Sequence, residues 1–95
     1  MFVFTVFARA KSPEDARALC SIYGHLLTLR QEPGYLRTDC AINVDDSRHV
    51  VIVEYWGSIA ALRGWLASEE RRRAWDQASP HLEGPVQTGL FEIQS

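Results

Sequence analysis

The apolar and polar positions of the 95-residue chain follow two periods, one typical of strands and one typical of helices. Four segments rich in aromatic and β-branched residues predict strands. These segments are residues 2–8, 35–43, 49–56 and 86–93. Asp45-Asp46-Ser47 has the composition of a turn, so the second and third strands should form a hairpin.

Helix signals occupy the two longer intervals between these strands. Ser12 as N-cap and Pro13 as first helical residue predict the start of a helix that ends before Glu32-Pro33-Gly34. Its apolar stripe has helical spacing. The stripe comprises Ala16, Leu19, Cys20, Tyr23, Leu26 and Leu27.

The second interval carries two helix starts rather than one. Ser58 predicts a helix to about Ala67, and Ser68 with two following glutamates predicts a new start that continues to about Ala78. Ser79-Pro80 ends this segment. The order strand, helix, strand, strand, helix, strand predicts one α+β domain over residues 1–95, a ferredoxin-like βαββαβ fold with both helical segments on one face of a four-stranded antiparallel sheet.

The predicted strands are apolar on both faces, although a sheet with one wet face should alternate between apolar and polar residues. The third strand contains four consecutive aliphatic residues, Val50 to Val53, and the first carries apolar residues at odd and even positions. Helices can cover only one of these faces. We therefore expect a homodimer in which a second copy of the sheet covers the other face.

Composition argues against several classes of partner. A net charge of -2 without a basic tail disfavours nucleic acid, and we interpret Arg71-Arg72-Arg73 as a solvated helix face paired with the glutamates before it. No apolar run is long enough to cross a membrane, and Met1 leads directly into a strand without a signal-peptide pattern. We expect a cytoplasmic protein.

Two cysteines, Cys20 on the helix stripe and Cys40 in the second strand, do not form a pattern typical of a disulfide framework. We expect free buried thiols, with a disulfide or a redox pair as the alternatives. The three histidines share no metal-ligand spacing with each other or with the cysteines, so no metal is expected.

Two short motifs in the chain resemble those of a known family. Glu32-Pro33-Gly34-Tyr35 follows the first helix, and Glu54-Tyr55-Trp56-Gly57-Ser58 leads into the second. Their order and spacing resemble the antibiotic biosynthesis monooxygenase family over roughly residues 4–93. The resemblance implies a dimeric α/β barrel. It also implies oxidation of a small aromatic or quinol-type substrate by dioxygen as co-substrate, without metal, flavin or haem, because the substrate anion itself passes an electron to oxygen.

Such chemistry needs an aromatic pocket, an oxyanion donor and exclusion of water. By resemblance, Trp56 matches the functional tryptophan of the quinone-forming members and Trp65 the pocket tryptophan of the haem-degrading members; both could instead be core residues. Tyr23 could donate to a substrate oxygen or to the backbone. Glu54 could be a base with a raised pKa, although we favour its pairing with Arg37 or Arg9.

Other positions depart from the family pattern. Ile52 and Leu62 replace the asparagine and tyrosine that the quinone-forming members use, and Trp75 replaces the haem-ligating histidine. The first strand offers only Thr5 and Val6 where haem degraders have an asparagine. The leading hypothesis is a cofactor-independent monooxygenase with Trp56, Tyr23 and Glu54 as catalytic residues and Trp65 in the substrate pocket. The alternative is a non-catalytic dimeric binding or accessory module; haem binding is disfavoured.

Overall fold

A computed structural model describes residues 1–24 and 31–94 of the chain. In chain order the elements are β1 (Phe2–Arg9), α1 (Pro13–Gly24), β2 (Tyr35–Ile42), β3 (His49–Trp56), α2 (Ile59–Leu66), α3 (Glu69–Ala78), a 3₁₀ turn (Ser79–His81) and β4 (Gln87–Glu92). The predicted order of elements is confirmed. The predicted stripe residues Leu26 and Leu27, and His25 beside them, lie outside the described residues.

The four strands form one antiparallel sheet in the order β2-β3-β1-β4. This arrangement confirms the predicted ferredoxin-like α+β fold. The alternation of β3 separates two faces: Val50, Ile52, Glu54 and Trp56 are buried, whereas the residues between them are half-buried. The buried set packs with α1, α2 and α3 into one core.

The opposite face of the sheet remains largely apolar and open within one chain. Val3 and Phe7 of β1 lie beside Tyr55 and Val51 of β3 on this face. Phe91 of β4 joins them opposite Val3, and its side chain is 57% exposed. The strands are therefore apolar on both faces, as the sequence indicates.

Capping serines fix both helices of the second crossover. Ser58 Oγ accepts a hydrogen bond from the Ala61 backbone N–H at 3.2 Å, and Ser68 Oγ accepts one from the Arg71 N–H at 3.1 Å. The predicted break between α2 and α3 is thus confirmed. A new helix, α3, begins at Glu69, and its first turn places Arg71 over the Phe4 ring on the helix side of the sheet.

The turn before β2 packs closely on the start of α2. Gly34 has φ 84°, and a side chain there would press on Ser58 and Ala61, so glycine serves both the backbone conformation and the close approach. Gly57 N–H donates to the Gly34 carbonyl at 2.7 Å. These contacts join the two motifs of the sequence into one corner of the fold, beside Trp56.

Two contacts at its start hold α1 in place. Ser12 Oγ accepts from the Asp15 N–H at 3.0 Å and donates to the Asp15 carboxylate at 2.7 Å. The same carboxylate lies 2.7 Å from His81 Nδ1, and these two hydrogen bonds, that of His81 first, hold the Asp15 pKa below its usual value. The histidine thereby connects α1 to the 3₁₀ turn rather than forming a metal site.

Cys20 of α1 and Cys40 of β2 form a disulfide, with their Cα atoms 5.4 Å apart. The prediction of free thiols is therefore wrong. Both cysteines face the interface between α1 and the sheet and are half-buried rather than fully buried. Spacing along the chain carried no sign of this proximity, because it arises only when the helix packs across β2.

Because of the disulfide, we expect the free energy of unfolding to depend on whether a reductant is present. Closing a loop between residues separated by 20 positions stabilises the fold by about 3 kcal/mol in the chain-entropy treatment. Reduction with a dithiol should lower the free energy of unfolding by that order, measured by urea denaturation. A Cys20→Ser and Cys40→Ser double variant should be insensitive to the reductant. Two free thiols in the untreated, denatured protein would contradict the bond.

Candidate active site

The centre of the candidate site is Glu54, a carboxyl group buried on the helix side of β3. Its side chain is 3% exposed, and it is the only charged residue in the buried core of the described residues. The Trp56 Nε1–H donates to Glu54 Oε1 at 3.2 Å. Burial raises the Glu54 pKa, while the hydrogen bond from Trp56 and the positive charge of Arg71 oppose the rise. A carboxyl of this kind can exchange a proton nearer neutrality than an exposed one.

Within this chain neither predicted arginine pairs with Glu54. Arg9 Nη1 bonds Asp46 Oδ2 at 2.7 Å at the far end of β1. Arg37 lies 3.3 Å from Asp39 and stacks 4.6 Å from the Tyr55 ring centroid. Arg37 is opposite Tyr55 in the sheet register, so the strand alternation places it on the open face, away from Glu54.

Trp56 is fully buried at the end of β3 and packs against a second aromatic ring. Tyr35, its register partner on β2, approaches it edge-on with ring centroids 5.4 Å apart. The Tyr35 hydroxyl shares a hydrogen bond with Thr38 Oγ1 at 2.7 Å. Tyr35 was not predicted as a site residue, although its position directly after the Glu32-Pro33-Gly34 turn could have indicated it.

Tyr23 lies on the buried stripe of α1, with Ala16 and Leu19. Burial raises the pKa of Tyr23 to about 12; the Arg71 charge lowers it, and the Glu54 charge raises it. The phenol therefore stays protonated at neutral pH and keeps an O–H to donate. The charges of Arg71 and Glu54 thus both act on the Tyr23 phenol.

Trp65 of α2 is 2% exposed, and its Nε1 has no hydrogen-bond partner among the described residues. The indole lies close enough to Glu54 to lower the pKa of that carboxyl, yet without a hydrogen bond of ordinary geometry. A buried N–H left unpaired costs roughly 1–3 kcal/mol. Such a group is a donor available to a ligand.

Arg71, like Tyr35, was not predicted as a site residue. It belongs to the basic run that we interpreted as a solvated face paired with the preceding glutamates, and one such pair, Glu69–Arg72, is present at 2.6 Å. Arg71 itself is half-buried. The signal was its helical spacing, because Arg71 lies on one stripe with Ala74, Trp75 and Ala78, of which the two alanines are buried.

Three surface hollows lined by described residues lie away from this cluster. One of about 240 Å³ and one of about 270 Å³ share Phe7 and His49, and one of about 370 Å³ lies beside Leu36 and Tyr55. None of the three is walled by Trp56, Trp65 or Tyr23. In the described part of the chain, no group of three or more His, Cys, Asp or Glu side chains could hold a metal ion.

A sequence model described as "Antibiotic biosynthesis monooxygenase" matches residues 1–77, which include Tyr23, Glu54, Trp56, Trp65 and Arg71. The chain belongs to the antibiotic biosynthesis monooxygenase family. This result confirms the resemblance of the two motifs, and the reaction class of the family is that of a monooxygenase. No curated protein matches the chain.

Solved structures of the family share the fold over nearly the whole chain. The crystal structure of an antibiotic biosynthesis monooxygenase is 25% identical with a TM-score of 0.77, covering 100% of both chains. A candidate family member from Deinococcus radiodurans is 23% identical with a TM-score of 0.82, covering 100% of this chain and 94% of its own. SnoaB from Streptomyces nogalater, a cofactor-independent oxygenase, is 16% identical with a TM-score of 0.79, covering 99% and 92%.

The residues that depart from the expected family pattern make packing or structural contacts in this chain. Ile52 and Leu62 are fully buried core residues. Trp75 lies under Arg71, 5.7 Å from its guanidinium carbon, and supplies no imidazole for a haem. Thr5 faces the open side and donates to the Gly89 carbonyl at 3.4 Å. The polar groups near Glu54 are instead the indole N–H groups of Trp56 and Trp65, the Tyr23 phenol and the Arg71 guanidinium.

No helix in the described part of the chain is long and apolar enough to cross a membrane.

Proposed function

We propose that the chain is a cofactor-independent monooxygenase that oxidises a small electron-rich aromatic or quinol-type substrate with dioxygen. The observation that carries the proposal is the buried Glu54 carboxyl with its raised pKa, next to two tryptophans and a protonated tyrosine. Family membership supports the reaction class. The likeness to SnoaB, at 16% identity, supports the fold.

Each site residue has a proposed role that follows from its chemistry. Glu54 is the general base that removes a proton from the substrate, since its raised pKa favours proton uptake. Tyr23 keeps its proton and donates it in a hydrogen bond to the resulting oxyanion. Trp56 and Trp65 wall the aromatic ring of the substrate and exclude water.

The proposed reaction balances without an added cofactor. For a substrate with an acidic CH₂ group conjugated to a carbonyl, Glu54 takes one proton, and the resulting anion, whose charge is shared between that carbon and the substrate oxygen, passes one electron to dioxygen. The substrate radical and superoxide combine into a carbon-bound peroxide anion, and the Glu54 carboxyl protonates its terminal oxygen. Loss of the second C–H proton and of hydroxide leaves C=O, so that one oxygen atom enters the product and the other leaves as water.

A non-catalytic dimeric binding or accessory module is the second candidate. The specific observation in its favour is that Ile52 and Leu62, at the positions where the quinone-forming relatives are expected to carry polar residues, are closely packed in the core. Oxygen consumption distinguishes the two candidates, since an accessory module binds aromatics without consuming oxygen.

Metal-free protein should increase oxygen uptake over buffer for at least one member of a panel of hydroquinones and anthrones. Activity should rise with pH through a midpoint above 4.5, because the base form of Glu54 appears there. Glu54→Gln should lower kcat by about 10²–10⁴-fold. Glu70→Gln, at an exposed carboxylate of α3, should keep full activity. No uptake with any substrate would favour the accessory module.

We further infer that two chains pair through the open sheet face into a dimeric α/β barrel. The support is the exposed apolar surface of that face, on which Val3, Phe7, Val51 and Phe91 lie. Two such faces packed together would remove this surface from water. The helix side, with Glu54, then remains within each chain.

Light scattering should give about twice the chain mass of 10.8 kDa at micromolar concentration. Val51→Lys places a charge on the open face and should dissociate or aggregate the protein, because an unpaired buried charge costs several kcal/mol by rough estimate. Val44→Lys is the matched control, since Val44 is 97% exposed in the turn. A wild-type monomer, or no effect of Val51→Lys, would contradict this mode of pairing.

A cytoplasmic location remains part of the proposal, and the Cys20–Cys40 disulfide is the observation that weighs against it. Disulfides persist mainly in oxidising compartments. Alkylation at the moment of cell lysis traps the thiol state of the protein. Free thiols at Cys20 and Cys40 would indicate a reducing compartment such as the cytoplasm, and an intact disulfide would indicate an oxidising one.

A further inference from the structure

Arg71 is a cation held in a defined place over the core. Its guanidinium carbon lies 5.8 Å from the Phe4 ring centroid and 5.7 Å from that of Trp75. Phe4 is the register partner of Glu54, and both side chains are buried on the helix side of the sheet. The guanidinium therefore lies beside the candidate active site.

No described carboxylate forms an ion pair with Arg71, in contrast to its neighbour Arg72, which bonds Glu69 at 2.6 Å. Glu54 experiences the Arg71 charge, but its hydrogen bond comes from Trp56. A half-buried guanidinium stacked on rings, with its N–H groups not paired to any described anion, is suited to binding a carboxylate in a two-point contact.

A second donor in the same environment also lacks an acceptor. Trp65 Nε1 is buried and unpartnered among the described residues, and it lies close to Glu54. The charge of Glu54 also acts on the Tyr23 phenol, which is protonated at neutral pH. Trp65 Nε1–H thus lacks a described acceptor and Arg71 a described anion, and a ligand that supplies negative oxygen atoms would satisfy both.

We propose that Arg71 is a specificity-determining residue that binds a carboxylate substituent of the aromatic substrate. The inference rests on the proposed function, because it names the substrate class of the same site: aromatic acids rather than neutral aromatics. The substrate carboxylate binds the Arg71 guanidinium, and the substrate ring lies toward Trp56 and Trp65. Aromatic acids consequently bind more tightly than their uncharged amides.

The probes are 2-naphthoate and 2-naphthamide, which differ in charge but hardly in size, with binding measured by calorimetry near neutral pH. The wild-type protein should bind the acid at least about tenfold more tightly than the amide, in line with a charge-assisted hydrogen bond. Arg71→Met should remove this preference while keeping the affinity for the amide. Arg71→Lys should retain part of it, because the charge remains but the two-point geometry does not.

Arg73→Met is the matched control, since Arg73 is exposed on another side of α3; it should keep the full preference. Circular dichroism establishes that each variant is folded. Equal affinity for the two probes, no binding of the acid, or equal loss in both methionine variants would overturn the proposal. Oxygen uptake with neutral quinols is independent of this result, so the monooxygenase assignment and the aromatic-acid specificity can fail separately.

Discussion

The candidate active site depends on one carboxyl group, Glu54, which is buried in an aromatic and aliphatic core. Transfer of a charged carboxylate from water to such a place is costly unless hydrogen bonds and opposite charge compensate. Here the compensation comes from the Trp56 N–H at 3.2 Å and from the charge of Arg71. Because burial outweighs these effects, the folded state holds this proton more tightly than the unfolded chain. The contribution of Glu54 to stability therefore falls as pH rises from 4.5 through the folded-state pKa.

The alternation of β3 separates the candidate active site from the open face through which we propose that two chains pair. Residues at even positions, such as Glu54 and Trp56, face the helices, and residues at odd positions, such as Val51 and Tyr55, face the open side. A strand that is apolar on both faces can thus carry a site on one face and an apolar docking surface on the other. The pairing of Arg37 with Tyr55 shows the same rule, since a shift of one residue would have brought that arginine to Glu54.

Local signals were sufficient for the order of the elements but not for contacts between them. Ser58 and Ser68 predicted both helix starts correctly, because capping is a property of a few adjacent residues. The Cys20–Cys40 bond was missed because it depends on how α1 packs across β2. Arg71 was missed because its charged neighbours concealed its place on the inward stripe of α3. The motif around Trp56 identified the family, but not the donors that surround its glutamate.

The most direct test of this account is a titration of the Glu54 side-chain carboxyl by carbon-13 NMR, with Glu54→Gln to assign the signal. We expect a midpoint above 4.5 in the wild-type protein and a higher one in Trp56→Phe, which lacks the N–H that stabilises the carboxylate. A midpoint at or below 4.5, unchanged by Trp56→Phe, would contradict it. The carboxyl would then be an ordinary acid, without the raised proton affinity on which its proposed role as a base rests.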